Sequence, residues 1–138
     1  MNVEPYLFFA GRCEEALKFY GQAIGAKVDM LMHFNESPEP LDPVMVMPGW
    51  ESKVMHASFR VGDARIMASD GHGKQDPKFN GFGLSINLTD TAQADKYFAA
   101  LSDGGEVRMP LAKTFFSPRF GMVLDRFGVL WMIHVYPS

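Results

Sequence analysis

PYLFFAGRCEEALKFYGQAIGA, residues 5–26, decides the fold, because GFGLSINLTDTAQADKYFAALSDGG, residues 81–105, repeats its pattern. Each is a short apolar strand running into an amphipathic helix that ends at glycine. In the first copy Cys13, Ala16, Leu17, Tyr20 and Ile24 fall at helical spacing, with Gly25 as the stop. In the second, Ala94, Tyr97, Phe98 and Leu101 do the same, behind Thr89 or Asp90 as N-cap. Each helix is followed by alternating sequence that closes on a turn and a last strand, VGDARIMASD (61–70) and DRFGVLWMIHV (125–135). The unit is strand, helix, three strands, used twice. Two curved half-sheets side by side would enclose one cleft, and function is expected there.

Working outward, the first module covers about 1–72 and the second about 79–138 of a single domain. The first strand is expected over 4–10 and the second over 27–34. NESPEPLDP (35–43), with three prolines and three acids, reads as a surface loop and mobile lid. Residues 54–61 alternate, placing Met55, Ala57, Phe59 and Val61 on one side and His56, Ser58 and Arg60 on the other. Gly62-Asp63 turns this strand into a partner over 64–69, which adds Arg65, Met67 and Ser69 to the face of His56. DGHGKQDPKFNG (70–81) is the linker. Later strands are expected at 106–111, 122–125 and 129–136. On the last, Leu130, Met132, His134 and Tyr136 share one face, and Val129, Trp131, Ile133 and Val135 pack under the helices.

Composition narrows the function. At 138 residues the chain can bury a core without staples. Its 13 basic residues are scattered among 16 acidic ones, for a net charge of -3, which argues against nucleic acid. No apolar run approaches a membrane span, and no secretory leader is recognised, so the cytoplasm is the expected compartment. One cysteine excludes an internal disulfide. Twelve Phe and ten Met exceed what packing alone asks for; most belong to the core, the rest to a cleft or subunit interface.

FAGRCEEALKFY (9–20), MHASFRVGDARIMASD (55–70) and TFFSPRFGMVLDRFGVLWMIHV (114–135) together resemble the PhnB-like branch of the vicinal oxygen chelate superfamily, the glyoxalase and bleomycin-resistance fold. The resemblance implies an α+β chain whose two βαβββ modules form a curved, cup-shaped mixed sheet with helices outside. It also implies a divalent metal, ligated from the first and last strand of each module. Those places fall here at Pro5, Met67, Gly81 (or Gly83) and Met132. None supplies the imidazole, carboxylate or thiolate such a metal wants, so neither a metal nor another cofactor is expected. The branch has also been labelled a demethylubiquinone methyltransferase. No Gly-rich strand-to-helix turn followed about 20 residues later by an acid is present to hold a nucleotide-like methyl donor.

His56 is the leading candidate for chemistry, as a general base or to orient a ligand oxygen; the plainer alternative is an imidazole held by a backbone carbonyl. Arg60, Met67 and Ser69 join it as ligand-binding candidates in the first module, and Phe116, Phe120, Met132 and His134 in the second. Two histidines without a carboxylate make a weak metal site. Asp70 and Asp125 end strands beside turns and read as structural. Cys13, at a helix start, is placed for a lowered pKa but has no partner in sequence. His33 and His72 lie near loops and read as solvated. KTFFSPRFG (113–121) holds aromatics with no periodic reason for burial, so it is read as closing over a ligand or sealing a dimer, with Arg119 ready for an anion. The expected protein is a homodimer binding a small organic molecule, with enzyme activity through His56 and a purely structural dimer as the alternatives. No nucleic-acid or membrane partner is expected.

Overall fold

The computed structural model describes residues 1–42, 46–73 and 78–138. Pro43, the end of the expected lid, and 74–77 of the expected linker lie outside them. The chain divides into two compact units, Met1–Pro77 and Lys78–Ser138.

In the first unit β1 (Tyr6–Phe8) leads to α1 (Cys13–Ile24), then β2 (Lys27–His33), β3 (Val54–Val61) and β4 (Ala64–Ser69). The sheet order is β1-β4-β3-β2, with β1 parallel to β4 and the other pairs antiparallel. The second unit repeats this with β5 (Leu84–Leu88), α2 (Thr91–Ser102), β6 (Glu106–Ala112), β7 (Phe120–Leu124) and β8 (Leu130–Val135), in the order β5-β8-β7-β6. The βαβββ reading therefore holds in both halves. β1 is shorter than expected, because Ala10 and Gly11 take positive φ angles of 52° and 106° and turn the chain into α1.

α1 forms where its apolar spacing placed it, and Gly25 ends it in the left-handed conformation that costs glycine little. Its buried face, which includes Ala16, Leu17 and Tyr20, lies on the helix side of the first sheet, where Leu7, Ala57, Phe59, Ile66 and Ala68 are buried. Tyr20 stacks on Phe59 with ring centroids 5.9 Å apart. Each such fully buried large apolar side chain contributes about 1.5–3 kcal/mol. In the second unit Asp90 caps α2, its carboxylate accepting from the Ala92 N–H at 2.9 Å. Trp131, Ile133 and Val135 are buried, while Leu130, Met132 and His134 stand partly exposed on the other face, as the alternation requires. Gly121 lets β7 pass close to its neighbours: a Cβ there would lie 2.9 Å from both the Leu111 Cα and the Phe98 ring.

One face assignment is corrected. His33 pairs with Val54 but Met32 with His56, so the ladder skips Met55. This bulge moves Met55 out of the core, and Val54, only 1% exposed, takes the buried place instead.

Candidate functional site

In the first unit the exposed side of the sheet and the chain that follows β2 enclose a cavity of about 390 Å³. Its floor is Tyr6 and Phe8 from β1, Met55 from the bulge and Ser69 from β4; its wall is Phe34 and residues 37–42. The wall brings Leu41 and Pro40 to the cavity together with the polar Ser37, Glu39 and Asp42, and Gly71 and His72 line it beyond β4. Phe34, Val46 and Trp50 form a buried cluster against which Leu41 and Met55 pack. The Trp50 indole N–H donates to the Gly71 carbonyl at 3.2 Å, fastening the segment to the end of β4.

His56 lies beside this cavity, half-buried, with its Nδ1 3.0 Å from the Tyr6 hydroxyl. It is thus bonded to a side chain rather than to a backbone carbonyl. Either the phenol donates to Nδ1, leaving the N–H on Nε2, or Nδ1–H donates to the phenol oxygen; the two tautomers offer a ligand opposite characters. The Tyr6 ring also lies 4.8 Å from Phe8. Of the other candidates here, Met67 sits beside Tyr6 in register, and Ser69 lines the cavity while its hydroxyl oxygen accepts from the Gly71 N–H. Arg60 is turned away: its Nε donates to the Asp29 carboxylate at 3.0 and 3.1 Å.

In the second unit Phe116, Phe120, His134 and Tyr136 form one ring cluster. Phe116 lies 5.0 Å from Phe120, and His134 is 6.2 Å from Phe116 and 5.2 Å from Tyr136. Met132 is on the same strand face as His134, paired with Ser85 and Met122. The Ser117 hydroxyl bonds the carbonyls of Arg119 and Val135 at 2.6 and 2.7 Å and pins the aromatic loop to β8. Arg119 is held by Asp95 at 3.3 Å and by the Pro118 carbonyl. Phe115 is wholly exposed.

The two aspartates are structural. Asp70, 2% exposed, accepts from the N–H groups of Gly11, Cys13 and Val54 at 2.7–2.8 Å. Asp125 accepts from those of Phe127 and Val129 and from the Trp131 indole. Asp70 also occupies amides at the start of α1 that an anionic ligand would otherwise use. Cys13 has the opposite of the lowered pKa weighed from sequence: burial, then the charges of Asp70 and Glu14, push its thiol far up. It is a core residue and no nucleophile. His33 is not simply solvated either. Its Nε2 meets Glu14 at 2.7 Å and its Nδ1 meets Glu36, contacts that raise its pKa, Glu14 first.

Pairing places the superfamily's metal positions. Met67 pairs with Tyr6, next to Pro5, and Met132 with Ser85, while Gly81 and Gly83 both precede β5. Two thioethers, a phenol and an alcohol do not fit a hard or borderline divalent ion. Among the described residues no group of three or more His, Cys, Asp or Glu is placed to hold a metal. No described helix is long and apolar enough to cross a membrane.

Sequence reasoning missed Tyr6, Phe8 and Met55 as site residues; of the wall it singled out 35–43, as a surface loop and lid. Only the aromatic pair Tyr6 and Phe8, two apart on a strand next to the face of His56, gave a usable signal.

Comparison with known proteins agrees with this architecture. The chain is 32% identical to protein YjdN of Escherichia coli K12 over 142 residues, covering 98% of this chain and 95% of that protein. Protein PA1353 of Pseudomonas aeruginosa has a solved structure that matches with a TM-score of 0.85 at 40% identity, over 100% of this chain and 99% of that one. The fold is also that of a Bacillus cereus protein described as a putative 3-demethylubiquinone-9 3-methyltransferase, PhnB protein (TM-score 0.79, 23% identity, 98% and 99% covered). The family described as 3-demethylubiquinone-9 3-methyltransferase matches residues 1–134. With this match spanning almost the whole sequence, the chain belongs to that family, and its two βαβββ units have the α+β fold expected of the PhnB-like vicinal oxygen chelate branch.

Proposed function

We propose that this protein binds a small organic molecule with an apolar or aromatic body in the cavity of its first unit, without a tightly held metal. The observation that carries the reading is the cavity itself: rings of Tyr6, Phe8 and Phe34 and the thioether of Met55 supply contact area. The Tyr6–His56 bond beside it supplies one oriented polar point. That balance, mostly apolar with few fixed polar groups, is what small-molecule sites have in common. The exposed ring cluster around His134 is a second surface for the same kind of ligand. The protein acts as a cytoplasmic homodimer in this reading, and the exposed Phe82 and Phe115 of the second unit support association.

The test is titration with a neutral fluorophore, N-phenyl-1-naphthylamine. Saturable binding by the wild type, lost in Met55→Trp with the circular dichroism spectrum unchanged, is expected. Equal binding by both proteins would place the ligand elsewhere. A stoichiometric metal surviving chelation would overturn the metal-free part.

A second reading has its own observation. The hydrogen bond to Tyr6 fixes the His56 ring, as a general base requires, so the protein would be an enzyme acting on an oxygen-bearing substrate. His56→Ala would then abolish turnover while leaving fluorophore binding intact. No methyl-transfer role is proposed, since the sequence has no Gly-rich strand-to-helix turn followed by an acid to hold a nucleotide-like methyl donor.

A further inference from the structure

The wall of the first-unit cavity hangs from a charged cluster that the ligand reading does not use. His33 ends β2, and the next residues, Phe34–Glu36, form a single 3-10 turn before the wall proper. The His33 imidazole is gripped on both edges: Nε2 by Glu14 in the first turn of α1, Nδ1 by Glu36 at the end of the 3-10 turn. Glu36 also accepts from the His33 backbone N–H at 2.8 Å, so its carboxylate is fixed before the ring is considered. We propose that Glu14, His33 and Glu36 form a pH-sensitive latch that holds the 34–42 wall of the cavity against α1 and lets it loosen as the ring loses its proton. This inference concerns regulation of the proposed binding cavity and rests, for its functional meaning, on that reading.

The chemistry is one of proton count. An imidazolium has two N–H donors and can serve both carboxylates together; a neutral imidazole has one donor and one lone pair, so one carboxylate must face the lone pair. The nearby charged groups have other partners. Arg12 pairs with Glu15 at 2.7 Å, Lys53 donates to the Gly11 carbonyl at 3.0 Å, and Glu51 accepts from the Gly49 N–H. Lys18 lies one turn beyond Glu14 on the same helix. His56, across the ladder from Met32, bonds Tyr6 instead.

The sign follows from the contacts. Bonding to Glu14 first, then Glu36, raises the His33 pKa above that of the unfolded chain. The latch is therefore fully closed below the ordinary histidine range and is lost as pH rises through the raised value.

Two measurements at low salt test this. The His33 ring is titrated by NMR in the wild type, Glu14→Gln and Glu36→Gln, and amide exchange over 37–42 is followed from pH 5 to 9, corrected for base catalysis. Expected are a raised His33 pKa that falls toward the ordinary value in both variants, and a loss of wall protection at high pH. In His33→Gln the protection should be independent of pH. An ordinary His33 pKa, or the same pH-dependent protection in His33→Gln, would overturn the latch. N-phenyl-1-naphthylamine binding, weakening with pH only in the wild type, then ties the latch to the cavity. If the fluorophore fails to bind at any pH, the ligand reading falls while ring titration and exchange still judge the latch.

Discussion

The two units share strand order and pairing sense, yet they use the connection between the second and third strands differently. In the first unit it runs through 34–53 and folds inward, with Phe34 and Trp50 buried over the sheet. In the second it is 113–119, pinned by Ser117, with Phe115 left wholly in solvent. Their helices differ as well: α1 buries seven residues, α2 only Ala94 and Leu101. The repeated topology is a scaffold, and a cavity appears where a longer connection carries enough apolar side chains to fold back on it. Chemistry is accordingly expected to separate the units more than stability does.

The two buried aspartates give the largest effect with which to break that comparison. Asp70 gathers amides 16, 57 and 59 residues away, whereas the partners of Asp125 lie within 6 residues, inside one hairpin. Removing either leaves three buried donors without an acceptor, at about 1–3 kcal/mol each. Asp70→Ala should cost more, because it releases the β1–α1 turn and the start of β3 together, and urea unfolding of the two variants measures it. An Asp125→Ala variant that is the less stable of the pair would show that long-range ties do not distinguish the units.

The connections come next. Phe34→Ala should lose about 3–5 kcal/mol, the usual result of emptying a packed aromatic site, and should abolish fluorophore binding. Phe115→Ser should stay within about 0.5 kcal/mol of the wild type as a monomer. A large loss for Phe115→Ser that grows with protein concentration would instead mean that Phe115 is buried in a dimer, which sedimentation equilibrium would show directly.

The sequence made the scaffold legible and the site only partly so. β3 and β4 were found residue for residue, since period-two alternation and a Gly-Asp turn are local signals. The faces of β8 were readable for the same reason. Met55 was misplaced because a bulge belongs to the pairing of two strands and leaves no mark in either strand alone. Tyr6 was missed because its bond to His56 spans 50 residues. Residues 35–43 were read as a surface loop and lid and Phe34 as the end of a strand, without the cluster they join, since Phe34, Leu41, Val46 and Trp50 share no period and are gathered only by folding. The Cys13 thiol went the other way from the helix-start argument first because folding buries it and then because Asp70, distant in sequence, lies close by.

The smallest effect concerns the turns that enter the two helices. α2 is entered through Asp90, an extended residue that caps the helix with its own side chain. α1 is entered through Ala10, the single non-glycine residue with positive φ among those described, at 52°. An L-residue there costs about 1–2 kcal/mol that glycine does not, offset by the roughly 0.4–1 kcal/mol that glycine's freer unfolded chain takes back. Ala10→Gly should therefore stabilise the protein by about 0.5 kcal/mol, and Ala10→Val should destabilise it, since a branched side chain is worse at positive φ. The strain is held by Asp70, whose bonds to the N–H groups of Gly11 and Cys13 require the turn to stay where it is. In an Asp70→Asn background those bonds weaken, the turn is freer to relax, and the gain from glycine should shrink. A full gain in that background would mean that the turn is held by β1 and α1 alone, and the first unit would then rely on its long-range carboxylate no more than the second does.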